Sequence, residues 1–84
     1  MRVIFSKQGW DEYTSWVEDR EILRKINRLI DEAARDPATG VGKPEPLSNN
    51  LAGYWSRRIT DEHRPVHQVR GDDLIIVQAR YHYG

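Results

Sequence analysis

The stretch Tyr54-Trp55-Ser56-Arg57-Arg58-Ile59-Thr60-Asp61-Glu62-His63-Arg64 decides the fold, because it joins strand-forming aromatics, three arginines and a turn signal, and so fixes where charge sits. Tyr54 to Ile59 favours a strand, Asp61-Glu62-His63 a turn, and Arg64-Pro65-Val66-His67-Gln68-Val69 a second strand. An even-length loop would put Trp55 and Ile59 on one face with Arg64 and Gln68, a mixture that cannot be buried cheaply. A three-residue loop instead gathers Trp55, Ile59, Pro65 and Val69 on one face, with Tyr54, Ser56, Arg58, Arg64 and Gln68 on the other.

Extending that parity through an odd Gly71-Asp72-Asp73 turn adds Ile75, Val77, Ala79 and Tyr81 to the apolar face. Gln78, Arg80 and His82 join the polar face, where Arg58, Arg64, Arg80 and His82 then form a candidate phosphate site. Singly, each arginine reads as a solvated residue on the wet side of a sheet; the cluster is what suggests a site.

Outward from there, 84 residues without a linker predict one domain, 1–84, near the small end of what can build a core. Hydrophobic residues at 38% and charged ones at 31% exclude a disordered tail, and the absence of cysteine excludes a disulfide framework or a thiolate metal site. No run approaches a membrane span or a signal peptide, so a cytoplasmic protein with no membrane partner is expected. Thirteen basic residues balance thirteen acidic ones, so any anion site must come from local geometry and not from bulk attraction.

Arg2 to Phe5 reads as a first strand, with Ser6 capping the helix that follows. Trp10, Tyr13, Trp16 and Val17 recur at helical spacing and read as core. A second helix is expected from Asp19 to Arg35, with Ile22, Ile26, Leu29, Ile30 and Ala33 inward; Asp36-Pro37 ends it. Two helices joined by a residue or two should form a hairpin on the sheet's apolar side. The predicted class is α+β: an N-terminal strand, a two-helix hairpin, then an antiparallel meander.

From Pro37 to Gly53, three prolines and three glycines in seventeen residues predict an ordered loop. Its Gly42-Lys43-Pro44-Glu45-Pro46-Leu47 centre holds Glu45 out between two prolines, as a general base or as an ordinary exposed glutamate. His63 and His67 have an i, i+4 metal-ligand spacing, but on a strand start facing the apolar side they read as structural; no metal and no cofactor are expected.

Three segments, Gly42-Lys43-Pro44-Glu45-Pro46-Leu47, the Tyr54–Arg64 stretch and the terminal Arg80-Tyr81-His82-Tyr83, resemble the YoeB toxins of the RelE superfamily of bacterial toxin–antitoxin systems, in the same order and at close spacing. The resemblance covers nearly the whole chain. It implies a RelE-like fold related to the microbial ribonucleases, cleavage of messenger RNA in the ribosomal A site, and a YefM-like antitoxin as partner; a homodimer is compatible with it. It further implies Glu45 as general base, Arg64 as phosphate clamp, His82 as general acid and Tyr83 as a group orienting the RNA. Lys43, Arg57 and Arg58 match positions of support or RNA contact, and Arg80 belongs to the same cationic face. Strict alternation sends Tyr83 to the face opposite His82, so both act only if the tail leaves strand geometry. Ser48 stands where relatives often carry lysine, His67 replaces a tyrosine and Pro65 an aliphatic residue. The competing class is a ParE-like inhibitor that binds DNA gyrase and cuts nothing; an RNA-binding module without catalysis is a third reading.

Overall fold

The computed structural model describes residues 1–36, 40, 42, 44–47, 52–60 and 62–80. In chain order the elements are β1 (Arg2–Phe5), α1 (Lys7–Thr14), α2 (Arg20–Arg35), β2 (Glu45–Pro46), β3 (Tyr54–Ser56), β4 (Val66–Arg70) and β5 (Asp73–Gln78). The five strands form one sheet in the order β1-β5-β4-β3-β2. The predicted meander is present from β2 to β5, and β1 joins it parallel to β5, which makes the sheet mixed.

Ser6 starts α1 as its type predicts: its Oγ accepts from the Gly9 N–H at 3.0 Å. The helix lies so close to β5 that a Cβ at Gly9 would overlap the Ile76 carbonyl oxygen, which itself accepts from the Ser6 N–H at 3.0 Å. α1 stops at Thr14 and the chain goes on in tighter i→i−3 turns, the Trp16 N–H donating to the Tyr13 carbonyl at 3.2 Å and the Val17 N–H to the Thr14 carbonyl at 3.1 Å. The aromatic stripe is therefore broken: Trp16 is 7% exposed, but Trp10 is 51% and Val17 67% exposed. Trp10 instead meets Phe5 edge-on and stacks on Tyr13.

Asp19 caps α2, accepting from the Ile22 N–H at 3.1 Å, and Ile26, Leu29, Ile30 and Ala33 are buried as the periodicity predicts. Residues 15–19 link the helices, a longer connection than expected, and Tyr13 Oη donates across to Asn27 Oδ1 at 2.6 Å. The α2 stripe packs with Trp16, Ile59, Leu74 and Ile76 in the core, where each large aliphatic side chain contributes roughly 1.5–3 kcal/mol.

The sheet register follows the sequence at its ends and departs from it in the middle. Tyr54 opposes Gln68 and Trp55 opposes His67, so the odd-numbered residues of the first hairpin do share a face. Its turn is one step earlier than predicted, with the Ile59 N–H donating to the His63 carbonyl at 2.9 Å. The second hairpin closes on Gly71 and Asp72 alone, with Gly71 at φ +60° and Arg70 opposite Asp73. That even loop flips β5: Leu74 and Ile76 face the core, and the expected Ile75 and Val77 do not. A bulge then lets Val66 oppose Gln78 while His67 opposes Ile76, restoring the predicted parity and leaving Ala79 fully buried.

Candidate active site at the sheet edge

Glu45 is not on a bare loop: Glu45–Pro46 form the edge strand β2, with Glu45 opposite Ser56 and Pro46 opposite Trp55. Proline is tolerated there because an edge needs no donor on its outer side. Leu47 anchors the strand, its N–H donating to the Tyr54 carbonyl at 2.9 Å and its side chain 8% exposed. On the other side of β3, Pro65 precedes β4, and its carbonyl accepts from the Arg57 N–H at 3.2 Å. Arg64 is thereby placed to reach across β3. Its Nη1 donates to Glu45 Oε2 at 3.3 Å and to Ser56 Oγ at 3.4 Å. Two groups nineteen positions apart in sequence thus meet, the guanidinium 17% and the carboxylate 56% exposed.

The other arginines separate. Arg58 is exposed, its backbone N–H donating to the Gly42 carbonyl at 2.6 Å. Arg57, expected as support or an RNA contact, is fully buried: Nη2 donates to the Asp36 carbonyl at 2.8 Å, tying the end of β3 to the end of α2. Burial lowers its pKa, opposed by the charges of Glu32 and Asp36. With no surface to offer RNA, Arg57 holds α2 to the sheet. Arg80 contacts the segment that follows α1. Its guanidinium lies 3.9 Å over the Trp16 ring and donates to Ser15 Oγ at 2.8 Å, drawn to that segment by a cation–π contact. Lys43, Ser48, Tyr81, His82 and Tyr83 lie outside the described residues.

Residues 5–83 match the family model described as the YoeB-like toxin of bacterial type II toxin–antitoxin systems. This chain belongs to that family. A toxin YoeB of Streptomyces coelicolor is 58% identical over 99% of this chain and 100% of its own. Among solved structures, a YoeB/ParE toxin from Agrobacterium tumefaciens superposes with a TM-score of 0.95 at 48% identity, covering 99% of this chain and 100% of that one. The toxin in a YoeB–YefM complex from Staphylococcus aureus follows at 0.89 and 38%, covering 99% and 98%.

In this YoeB-like toxin the two described histidines serve different parts of the fold. His63 packs edge-on against Trp16, ring centroids 4.9 Å apart. His67 is 2% exposed, beside Arg57 in a small apolar cavity that Leu29, Ala33, Pro65 and Ile76 also line, and its Nε2 has no hydrogen-bond partner among the described residues. Burial, with Arg57 adding repulsion, pushes its pKa from 6.5 down to about 4, so this imidazole is neutral at physiological pH. No three His, Cys, Asp or Glu side chains converge as a metal site among the described residues, and no helix there is long and apolar enough to cross a membrane. Sequence reasoning missed Ser56 as an acceptor for Arg64, Glu12 as an acceptor for the backbone after β5, and Trp16 as more than core. Parity places Ser56 on the face of Arg64, which was the available signal; Glu12 carried none.

Proposed function

We propose that this toxin is a ribosome-dependent endoribonuclease that cuts message in the A site through attack of a 2′-hydroxyl on the adjacent phosphate. The observation that carries the reading is the Glu45–Arg64 pair, a carboxylate and a guanidinium held together at an open sheet edge. A partly exposed ion pair of this length contributes only about 0–1 kcal/mol, so a phosphate can displace the carboxylate from Arg64 at little cost. Arg64 then faces charge that builds on the phosphoryl oxygens, the largest electrostatic contribution expected in such a site. Glu45, released beside it, accepts the proton of the 2′-hydroxyl. His82 protonates the leaving 5′-oxygen and Tyr83 orients the RNA, roles supported by the family's terminal motif in this sequence. Because the substrate carries its own nucleophile, no metal-activated water is needed. The products are a 2′,3′-cyclic phosphate, or the 3′-phosphate formed on its hydrolysis, and a 5′-hydroxyl.

Arg58 is exposed and, with Lys43, stands at a family position of RNA contact or support. A neutral chain with so small a patch binds free RNA weakly, so the ribosome must supply the remaining affinity. A YefM-like antitoxin with an acidic, apolar segment would silence the site by covering Arg58 and Arg64 or by displacing the tail.

The test is single-turnover cleavage on programmed ribosomes, with and without chelator. Glu45→Gln keeps shape and removes the proton acceptor, so the rate falls by roughly 10²–10⁴-fold with ribosome affinity unchanged. A deoxyribose before the scissile phosphate blocks cutting. Cutting of that substrate, or loss of activity with chelator on intact ribosomes, overturns the mechanism. Gyrase inhibition without any cleavage would establish the ParE-like alternative instead.

A further inference from the structure

The sheet ladder ends at Gln78, yet the next backbone groups are not left to solvent. Glu12 Oε1 accepts from the Ala79 N–H at 2.8 Å and from the Arg80 N–H at 3.1 Å. The buried indole Nε1 of Trp16 donates to the Ala79 carbonyl at 2.9 Å. Side chains from the end of α1 and the turn after it therefore hold three consecutive backbone groups, and the Arg80 guanidinium closes over the same indole and onto Ser15. Gln8 Nε2 donates to Glu12 Oε2 at 2.9 Å and steadies the carboxylate from behind. The Trp16 ring also meets His63, the residue before Arg64. One indole thus touches both the segment that leads into Arg64 and the segment that leads into His82.

We propose that Glu12 and Trp16 are positioning residues that fix the chain where it leaves β5, two residues before His82, and so set where the C-terminal tail starts relative to Arg64. The argument deepens the nuclease reading and rests on it for the role of His82. His82 follows Arg80 by two residues, a reach of only about 7 Å along the chain. The direction of the Ala79–Arg80 backbone therefore decides which volume the imidazole can search. Hydrogen bonds to a carboxylate are shorter and stronger than neutral ones, so Glu12 defines that direction more tightly than a solvated chain end could. Proton transfer needs the acid within hydrogen-bond reach of the leaving oxygen, and small misplacements are costly in rate.

The experiment uses the full chain as parent, Glu12→Ala, Glu12→Gln, His82→Ala and Glu12→Ala/His82→Ala, read by amide hydrogen exchange and by single-turnover cleavage at saturating ribosomes. In Glu12→Ala the Ala79 and Arg80 amides exchange at least about tenfold faster while amides of β4 keep their protection. Its cleavage rate constant falls about 10–100-fold with unchanged half-saturation, because the acid is misplaced and binding is not. Glu12→Gln, which keeps an acceptor oxygen, recovers most of that loss. The double variant cuts no more slowly than His82→Ala alone, since a misplaced acid cannot be lost twice. Unchanged exchange at Ala79 and Arg80 overturns the clamp; a double variant slowed by the product of the two single effects overturns the positioning role. Cleavage by His82→Ala at the parent rate would remove His82 from the mechanism, and would still leave the exchange arm to decide the clamp by itself.

Discussion

Acid should unfold this protein through His67, and the size of the effect follows from where that imidazole sits. The ring is 2% exposed, beside the buried Arg57 guanidinium and among aliphatic side chains, and its pKa falls from 6.5 to about 4. A histidine with a depressed folded-state pKa is neutral in the folded protein while the unfolded chain already takes up a proton. Between pH 6.5 and 4 the unfolded state thus binds more protons, so stability declines as pH falls through that window and is flat above it. At about 1.36 kcal/mol per pKa unit a depression of this size amounts to roughly 3 kcal/mol, most of it lost by pH 4.5. For a chain of this size that is a large share of a total stability of about 5–15 kcal/mol. The assay is urea unfolding of the parent and of His67→Tyr, which keeps a ring and removes the titrating imidazole, at pH 7.5, 5.5 and 4.5. Carboxylates titrate in both proteins, so the difference between the two stabilities isolates His67; it should move by roughly 2–3 kcal/mol in favour of the tyrosine variant on going from pH 7.5 to 4.5. A difference that stays constant across the series, to within about 0.5 kcal/mol, would refute the reasoning, because it would mean that His67 is hydrated or paired.

Two further predictions address packing and the site. Gly9→Ala forces a methyl group into the Ile76 carbonyl, so α1 must lift from β5; a loss of about 1–3 kcal/mol or more is expected in thermal or urea unfolding, although alanine is the better helix former. Arg64→Lys keeps the charge but loses the planar guanidinium, whose Nη1 alone reaches Glu45 and Ser56 and whose remaining donors could grip a phosphate in pairs, and single-turnover cleavage should slow by roughly 10²–10³-fold with little change in stability; a rate within threefold of the parent would mean that charge alone suffices.

The helices were legible because their information is local. Ser6, Asp19 and the Ile26, Leu29, Ile30, Ala33 stripe each act within a turn or two, and the structure places all of them as their types require. Trp10 and Val17 misled because spacing alone says nothing of where a helix stops: α1 ends at Thr14, and the tighter i→i−3 turns that follow bury Trp16 and leave Val17 exposed. Strand parity failed for a related reason. Whether Gly71-Asp72-Asp73 closes a loop of two or three residues depends on Asp73, which opposes both Arg70 and Arg2 and binds the Arg2 guanidinium at 2.8 Å. A local signal was present as well: Gly71-Asp72 is a two-residue hairpin pair, and Gly71 takes φ +60° as such a turn requires, so the three-residue reading passed over it.

The site shows the same division between local and distant causes. The prolines around Glu45 announced a fixed carboxylate, and the parity of the first hairpin placed Ser56 and Arg64 on one face; in the structure Glu45 and Arg64 meet at 3.3 Å. The remaining arginines could not be sorted by alternation, because each is taken by a group that alternation does not see. Arg57 is drawn under the C-terminal end of α2 by the Asp36 carbonyl, and Arg80 is drawn to the link after α1 by the face of Trp16. Arg64, Arg57 and Arg80 thus make three different sets of contacts: Arg64 with Glu45 and Ser56, Arg57 with the Asp36 carbonyl, and Arg80 with Trp16 and Ser15. Substituting Arg57 should therefore cost stability first, and substituting Arg80 should loosen the chain end first. Only substitution of Arg64 should strike the chemistry directly.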